Sequence, residues 1–156
     1  MDQFLTHFKS PVGILKIVGN SKAVTKILFV DDTTMENQNA VVNQCKKELG
    51  EFFEKERTEF SVKIEPNGTS YQDKVWKKLC KIPFGKTVSY KKIAKQMGDE
   101  NAVRAVASSN ARNPIPIIIP CHRVIGADGS LTGYAGGLDK KKKLLMFEGS
   151  LPKELF

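Results

Sequence analysis

The sequence has few of the residues on which small secreted and metal-binding proteins depend. It contains 3 cysteines and 2 histidines in 156 residues. Cys45, Cys80 and Cys121 lie too far apart for the paired, short spacings of a zinc site, and their odd number does not fit a disulfide framework. We therefore expect no metal, no cofactor and at least one free thiol.

Long apolar runs are also lacking. No segment approaches the roughly 18 to 20 consecutive apolar residues of a membrane-spanning helix. The start, Met1-Asp2-Gln3, has no signal-peptide pattern. Hydrophobic residues at 40% and charged residues at 27% are typical of a folded globular chain and exclude a disordered one. We expect a cytoplasmic protein, or a nuclear one in a eukaryote, without a membrane partner.

Acidic residues are scarce in the second half of the chain. Residues 1–66 carry nine basic and ten acidic side chains, whereas residues 67–156 carry sixteen basic and seven acidic ones. This asymmetry is expected where one half of a protein meets a polyanion, because lysine and arginine at phosphates release condensed counterions. A solvated basic surface gives the same composition. We expect the run from Lys140 to Lys143 to be an exposed helix face.

The first half of the chain is organised in short apolar runs separated by turn residues. The pattern predicts an antiparallel meander over 3–8, 12–18 and 24–30. Apolar residues then recur at helical spacing over 35–55, which predicts a helix on that sheet, and 60–64 fits a further strand. Pro66-Asn67-Gly68 interrupts the pattern where the charge balance changes, so we expect two domains, 1–66 and 67–156.

The second half predicts helices. After a core-facing helix over 72–80, Ser89 can cap one helix and Asn101 a second one over 102–111, with Gly98 between them. Two short helices joined by a tight turn indicate a helix-turn-helix. The second helix is rich in alanine and serine, with Arg104 as its interior cation. Small side chains permit close approach to a minor groove, but they equally fit a tightly packed core helix.

Cys121 is the candidate nucleophile. It ends a segment with three prolines and an isoleucine run, which can hold a thiol in a stiff loop. A thiol reacts as its thiolate, so it needs a base, and the adjacent His122 is the natural one. A carboxylate should orient that histidine, and Glu148 is the leading choice. We expect Cys45 and Cys80 to be small buried hydrophobes.

These residues resemble the O6-alkylguanine-DNA alkyltransferase family, also called methylated-DNA-protein-cysteine methyltransferases. The resemblance covers nearly all of 70–149 and rests on the motifs Val75-Trp76, Ile82-Pro83-Phe84-Gly85, Val88-Ser89-Tyr90, Ala102-Val103-Arg104-Ala105-Val106, Asn113-Pro114, Pro120-Cys121-His122-Arg123-Val124, Gly133-Tyr134-Ala135-Gly136-Gly137-Leu138 and Glu148-Gly149. It implies an α+β fold: a small ribonuclease-H-like domain with an antiparallel sheet and a helix, and a helical, winged-helix-like domain containing a helix-turn-helix.

The resemblance also implies a chemistry. Members move an alkyl group from O6 of guanine to their own cysteine, irreversibly and once, so Cys121 would be the acceptor and 67–156 the DNA-binding and catalytic domain. A water-mediated relay would run through His122 to Glu148. Asn113 would support the active-site turn, and Tyr134 would donate to the base as the oxygen leaves.

The implied partner is double-stranded DNA containing O6-alkylguanine, bound through the minor groove by a protein that we expect to be a monomer. The lesion base must leave the stack before an enclosed thiol can reach it. Arg104 would fill the gap and Tyr90 would rotate the 3′ phosphate. Ala102 and Ala105 would permit close approach, and Ser108 would bond backbone or sugar.

Two departures and three alternatives remain. Ala107-Ser108 stands where some relatives have two glycines, and Ala135 where some have a serine or larger residue. How tightly the second helix fits the groove and which alkyl groups the pocket accepts are therefore open.

The alternatives are a non-catalytic alkyltransferase-like lesion sensor, a helix-turn-helix transcription factor and a cysteine hydrolase. Sensors lack the acceptor cysteine that is present here. A transcription factor predicts long polar side chains at base-reading positions. A hydrolase would turn over, whereas a thioether persists.

Overall fold

The computed structural model of the chain describes residues 3–134 and 136–151. It forms two compact units, 1–67 and 68–156. No helix within the described residues is long and apolar enough to cross a membrane. The α+β fold class is confirmed: the first unit is built on an antiparallel sheet and the second is mainly helical. Ala135, where the alkyl range was in question, lies outside the described residues.

The first unit is the predicted meander with one helix against it. Strands β1 (Phe4–Ser10), β2 (Gly13–Gly19) and β3 (Val24–Val30) pair antiparallel in chain order, and α1 (Ala40–Phe53) packs on them. Apolar side chains of β2, β3 and α1 fill the space between sheet and helix, since they are fully or almost fully buried: Leu15, Ile17, Ile27, Val42, Leu49 and Phe52.

Helix α1 begins five residues later than the predicted start at residue 35. Asn39 caps it, because its side chain accepts a hydrogen bond from the amide of Val42 at 3.0 Å. The preceding residues are held to β1 instead. Asn37 bridges to Leu5, and the Glu36 carboxylate binds both the amide and the Nδ1 of His7 at 2.8 Å. These contacts prevent the segment from joining the helix.

The predicted strand over 60–64 is wrong. Only an isolated bridge joins Ile64 to Val24. The buried carboxylate of Glu48 takes the backbone donors that a strand would use, accepting from the amides of Ser61 at 2.8 Å and Val62 at 3.1 Å. A side chain from α1 therefore replaces the sheet ladder as the anchor of this segment.

The second unit contains four helices among its described residues. In chain order, its elements are α2 (Ser70–Leu79), β4 (Val88–Ser89), α3 (Tyr90–Gln96), α4 (Val103–Ala111), a 3₁₀ turn (Cys121–Arg123), β5 (Val124–Ile125) and α5 (Leu138–Phe147). β4 and β5 form a short parallel pair. Thr69 and Gln72 form a capping box at the start of α2.

Helices α3 and α4 form the predicted helix-turn-helix. Ser89 caps α3 as expected, accepting from the amide of Lys92 at 3.0 Å. The expected cap at Asn101 is wrong: Ala102 occupies that position and provides no side-chain cap. Tertiary contacts hold α4 instead. Val106 is fully buried, and the Trp76 indole of α2 donates to the carbonyl of Ser109 at 2.8 Å.

Candidate active site and DNA-binding helix

Cys121 is held by a tight turn that the sequence encodes in its prolines and asparagine. Pro120 has φ −80° and ψ 64°, an inverse γ-turn, and the Cys121 amide donates to the Ile119 carbonyl at 2.8 Å. Asn113 bonds that same carbonyl through Nδ2 at 2.8 Å, and its Oδ1 accepts from the Ile115 amide at 2.9 Å. Asn113 therefore braces the turn that carries the thiol.

The same loop stores backbone strain. Ile117 has φ 74°, in the left-handed region that β-branched residues avoid. It is nevertheless almost completely buried, and the neighbouring Ile119 amide donates to the Ile115 carbonyl at 3.0 Å. Burial and hydrogen bonds hold the strained residue, as is common beside functional groups. The reactive loop is thereby fixed before any substrate binds.

His122 and Glu148 form a buried pair, and Arg123 completes it. His122 Nε2 lies 2.8 Å from Glu148 Oε2. Arg123 donates to both Glu148 oxygens, from Nε to Oε1 and from Nη2 to Oε2, each at 2.8 Å. Its Nη1 donates to the Ile82 carbonyl at 2.7 Å. Glu148 is not within the last helix but caps its C-terminal end. The Ile82 loop and the end of α5 thus clamp the residues that follow Cys121.

The protonation states of this pair follow from its surroundings. Burial by itself raises the pKa of Glu148, but hydrogen bonds from His122 and Arg123 outweigh it and lower that pKa from 4.5 to about 2. Burial lowers the pKa of His122. A neutral His122 therefore donates Nε2–H to the carboxylate, which leaves Nδ1 as the basic nitrogen. Nδ1 has no hydrogen-bond partner among the described residues.

The Cys121 thiol rests in its neutral form. Burial raises its pKa to about 11, which outweighs the opposing effects of an Asn113 hydrogen bond and the positive charge of Lys141. The side chain is only 3% exposed. The thiol therefore needs a base when it reacts, and His122 is next to it in the chain.

The other two cysteines differ in exposure. Cys45 is buried as expected. Cys80 is exposed, contrary to expectation, because it lies at the C-terminal end of α2.

The expectation that residues 140–143 form an exposed helix face is wrong for Lys141, because this side chain is fully buried. Its Nζ donates to the Thr132 carbonyl at 2.7 Å and lies 3.5 Å from the Tyr90 hydroxyl. It has no ion-pair partner among the described residues, and burial lowers its pKa from 10.5 to about 8. The helix therefore brings a cation towards Cys121, where its charge opposes the effect of burial on the thiol.

Tyr90, Tyr134 and Asn110 surround the same region. Tyr90 is only 7% exposed, and its hydroxyl donates to the Thr132 carbonyl at 3.0 Å. Burial raises the pKa of Tyr134 well above its ordinary value, and the nearby Cys121 and Glu148 act in the same direction. Tyr134 therefore stays protonated and can donate. The buried Asn110 of α4 donates to the Cys121 carbonyl at 3.3 Å, which ties this helix to the reactive turn.

Helix α4 presents a small, polar outer face. Arg104, Ala105 and Ser108 are exposed and Ala102 is partly exposed at its start, whereas Val106 and Asn110 are buried. The buried residues account for the packing of the helix. The exposed ones leave a narrow ridge with one arginine, which a groove can approach closely.

The structure brings Cys121, His122, Glu148, Asn113 and Tyr134 into one site and places the exposed α4 residues on an adjoining helix. Sequence reasoning missed three participants. Arg123 was named only as part of the motif Pro120-Cys121-His122-Arg123-Val124. Lys141 was hidden in a lysine run. Asn110 had a detectable signal, since it follows Val106 by four residues on the same helical face.

Both halves of the chain match family models. Residues 70–150 match the model described as 6-O-methylguanine DNA methyltransferase, DNA binding domain, and residues 4–66 match the ribonuclease-like domain of the same enzyme. The methylated-DNA–protein-cysteine methyltransferases of Mycolicibacterium paratuberculosis and Methanosarcina acetivorans are each 44% identical to this chain. The first alignment covers 89% of this chain and 88% of the relative. The second covers 92% of this chain and 96% of the relative.

Solved structures of O6-methylguanine methyltransferases are also similar to this chain. The crystal structure of the Mycobacterium tuberculosis O6-methylguanine methyltransferase superposes with a TM-score of 0.86 at 39% identity, covering 99% of this chain and 98% of that one. The crystal structure of Mycobacterium tuberculosis OGT in complex with DNA superposes with a TM-score of 0.84 at 41% identity. The match covers 96% of this chain and 95% of that one. With both domain models matched and full-length relatives of this similarity, the chain belongs to the 6-O-methylguanine DNA methyltransferase family.

Proposed function

We propose that this protein repairs O6-alkylguanine in duplex DNA by transferring the alkyl group to Cys121, once per molecule, which restores guanine. The observation that carries the proposal is the buried Cys121 thiol followed directly by a neutral His122 that Glu148 orients. This arrangement lies within the 70–150 match to the family's DNA-binding domain.

Transfer of the alkyl group from O6 of guanine to Cys121 needs no cofactor. His122 Nδ1 takes the thiol proton through a bridging water, and the sulfur attacks the alkyl carbon. A C–S bond forms while the bond from that carbon to O6 breaks, and the electron pair stays on the base. Tyr134 donates a hydrogen bond to the base as this charge develops. The positive charge of Lys141 stabilises the thiolate in the interval. The base then takes up one proton to become guanine, and His122 gives up the proton that it took from the thiol, so neither group keeps a charge. The product thioether is not hydrolysed, so Cys121 stays alkylated.

The DNA contacts supply the energy of base extrusion, a few kcal/mol. We assign the minor groove to the exposed face of α4, with Arg104 filling the gap in the stack and Ser108 bonding the backbone or sugar. Ala102 and Ala105 permit the close approach. We assign rotation of the 3′ phosphate to Tyr90, whose hydroxyl would exchange the Thr132 carbonyl for the phosphate.

The two parts of the chain divide the work. We assign DNA binding and catalysis to residues 67–156, which hold every proposed contact, and a structural role to 1–66. We propose that the protein acts as a monomer, because the assigned residues all belong to one chain. We place it in the cytoplasm, or in the nucleus of a eukaryote, where reducing conditions keep Cys121 as a thiol.

Mass spectrometry after incubation with a duplex carrying one O6-methylguanine tests the proposal. Wild-type protein should gain one methyl group on Cys121, stop at one per molecule and restore guanine, whereas Cys121→Ala should gain none. Tight binding of the lesion duplex without any gain in mass would replace this proposal with the non-catalytic lesion sensor. Repeated turnover would instead indicate a hydrolase.

A further inference from the structure

The second unit has a basic pocket that the proposed chemistry does not use. Its volume is about 300 Å³, and it lies between the C-terminal part of α2 and the end of α3. The lining consists of four lysines and two other residues: Lys74, Lys77, Lys78, Lys81, Gln96 and Met97. Four lysine side chains around one pocket indicate an anionic ligand.

Most of this charge is not neutralised by the protein. Asp73 pairs with Lys77 at 3.0 Å, but Lys74, Lys78 and Lys81 form no ion pair within residues 3–134 and 136–151. Helix capping explains only part of the cluster. Lys77 and Lys78 lie in the last turn of α2, where cations complement the helix dipole. Lys74 precedes that turn and Lys81 follows the helix, so neither position is accounted for in this way.

The pocket adjoins the helix-turn-helix. Gln96 ends α3 and Met97 caps it, directly before the turn that leads to α4. In this motif the first helix crosses the nucleic-acid backbone while the second enters a groove. Helix α2, which supplies three of the four lysines, is joined to α4 by the hydrogen bond from the Trp76 indole to the Ser109 carbonyl. The cations are therefore held in a fixed relation to the helix assigned to DNA.

The lining favours a duplex backbone over other anions. It contains no aromatic side chain on which an unpaired base could stack, as single-strand binding requires. Lysines act as point charges that suit phosphate oxygens in many orientations. Several lysines within eight residues also fit a row of phosphates better than one isolated anion.

We propose that this pocket binds backbone phosphates of the duplex that flanks the lesion, as a contact separate from the α4 face. The proposal rests on the proposed function, since it takes the same DNA as partner. It also accounts for part of the excess positive charge of residues 67–156, which the active site leaves unexplained.

The test compares three proteins by the salt dependence of their affinity for a lesion-bearing duplex. They are the wild type, the triple variant Lys74→Gln, Lys78→Gln, Lys81→Gln, and a control with Lys22→Gln, Lys26→Gln, Lys47→Gln. The control lysines are exposed residues of the first unit, and their loss removes the same net charge. Titrations run in sodium chloride from about 50 to about 200 mM, the range over which counterion release is pronounced.

If each pocket lysine meets one phosphate, the plot of log affinity against log salt becomes shallower by about 2 to 3 in the pocket variant. Over this salt range the wild type should then lose roughly 40-fold more affinity than the variant. The control should keep the wild-type slope. A pocket variant with the wild-type slope, or a control that changes as much as the pocket variant, would overturn the proposal.

Methyl transfer by the wild type separates this proposal from the proposed function. If the wild type methylates Cys121 and the pocket variant keeps its salt slope, the pocket proposal fails while the repair function stands. If the wild type transfers no methyl group but the slopes differ as expected, the pocket binds DNA and the chemistry is wrong. Thermal unfolding of all three proteins verifies that slopes are compared between folded chains.

Discussion

Replacing Glu148 by glutamine should destabilise the protein strongly, because it removes the only carboxylate that the structure shows against Arg123. The change keeps the size of the side chain but leaves Arg123, a residue that is 5% exposed, without its countercharge. Breaking a buried ion pair by removing one partner costs about 3 to 5 kcal/mol. We expect Glu148→Gln to lower the free energy of unfolding at neutral pH by that amount.

The pKa of Glu148 gives a second route to the magnitude. The folded-state pKa, about 2, lies below the ordinary value of 4.5, so the folded protein binds fewer protons than the unfolded chain at intermediate pH. This contribution is complete above about pH 4.5 and is lost as the pH falls towards 2. The shift corresponds to about 3 kcal/mol for this buried group, which agrees with the ion-pair value.

Urea unfolding followed by tryptophan fluorescence measures both effects. Trp76 is the single tryptophan, is 2% exposed and belongs to the same unit as Glu148. The difference in stability between wild type and Glu148→Gln should be largest near neutral pH and shrink below pH 4.5. Asp139→Asn is the matched control, because Asp139 forms an ion pair with Lys143 in the same unit as Trp76, but both side chains of this pair are exposed. It should cost no more than about 1 kcal/mol.

A loss below about 1 kcal/mol for Glu148→Gln would refute this reasoning, since that is the range of exposed pairs. A difference from wild type that stays constant down to pH 2 would refute it as well. In either case the carboxylate would not be the charge that balances Arg123.

Three further predictions follow from the site. Alkylation of Cys121, which is almost completely buried, should destabilise the fold by overpacking, on the order of 1 to 3 kcal/mol; an unchanged melting temperature would contradict this. Lys141→Met should slow methyl transfer by roughly tenfold, equal to about 1.4 kcal/mol in the barrier. Because the pKa of Lys141 is about 8, the advantage of the wild type should shrink as the pH rises through that value, and a pH-independent ratio of rates would argue against a charge effect. Arg104→Ala should weaken binding of the lesion duplex while changing stability by no more than about 0.5 kcal/mol, because Arg104 is exposed; a large stability loss would show that the arginine supports the fold instead.

The elements predicted well are those whose signals are local. Alternating apolar residues and turn residues placed the three strands of the first unit, and Ser89 marked the start of α3 through its own hydroxyl. The errors occurred where a distant side chain took over backbone groups. Glu48 binds the amides that would have made residues 60–64 a strand, and contacts of Glu36 and Asn37 with β1 keep the residues before Asn39 out of α1.

The sequence by itself determined the fold class and the family, because motifs such as Pro120-Cys121-His122-Arg123-Val124 are contiguous and need no tertiary information. It also marked Cys121, since proline, cysteine and histidine are adjacent there. Only the tertiary structure decided the charges around the thiol. Lys141 lies in a lysine run that composition places at the surface, yet α5 turns it into the interior. Arg123 and Glu148 are 25 residues apart and meet only because the chain folds back. Burial and charge pairing depend on contacts between distant residues, so neither can be obtained from local sequence.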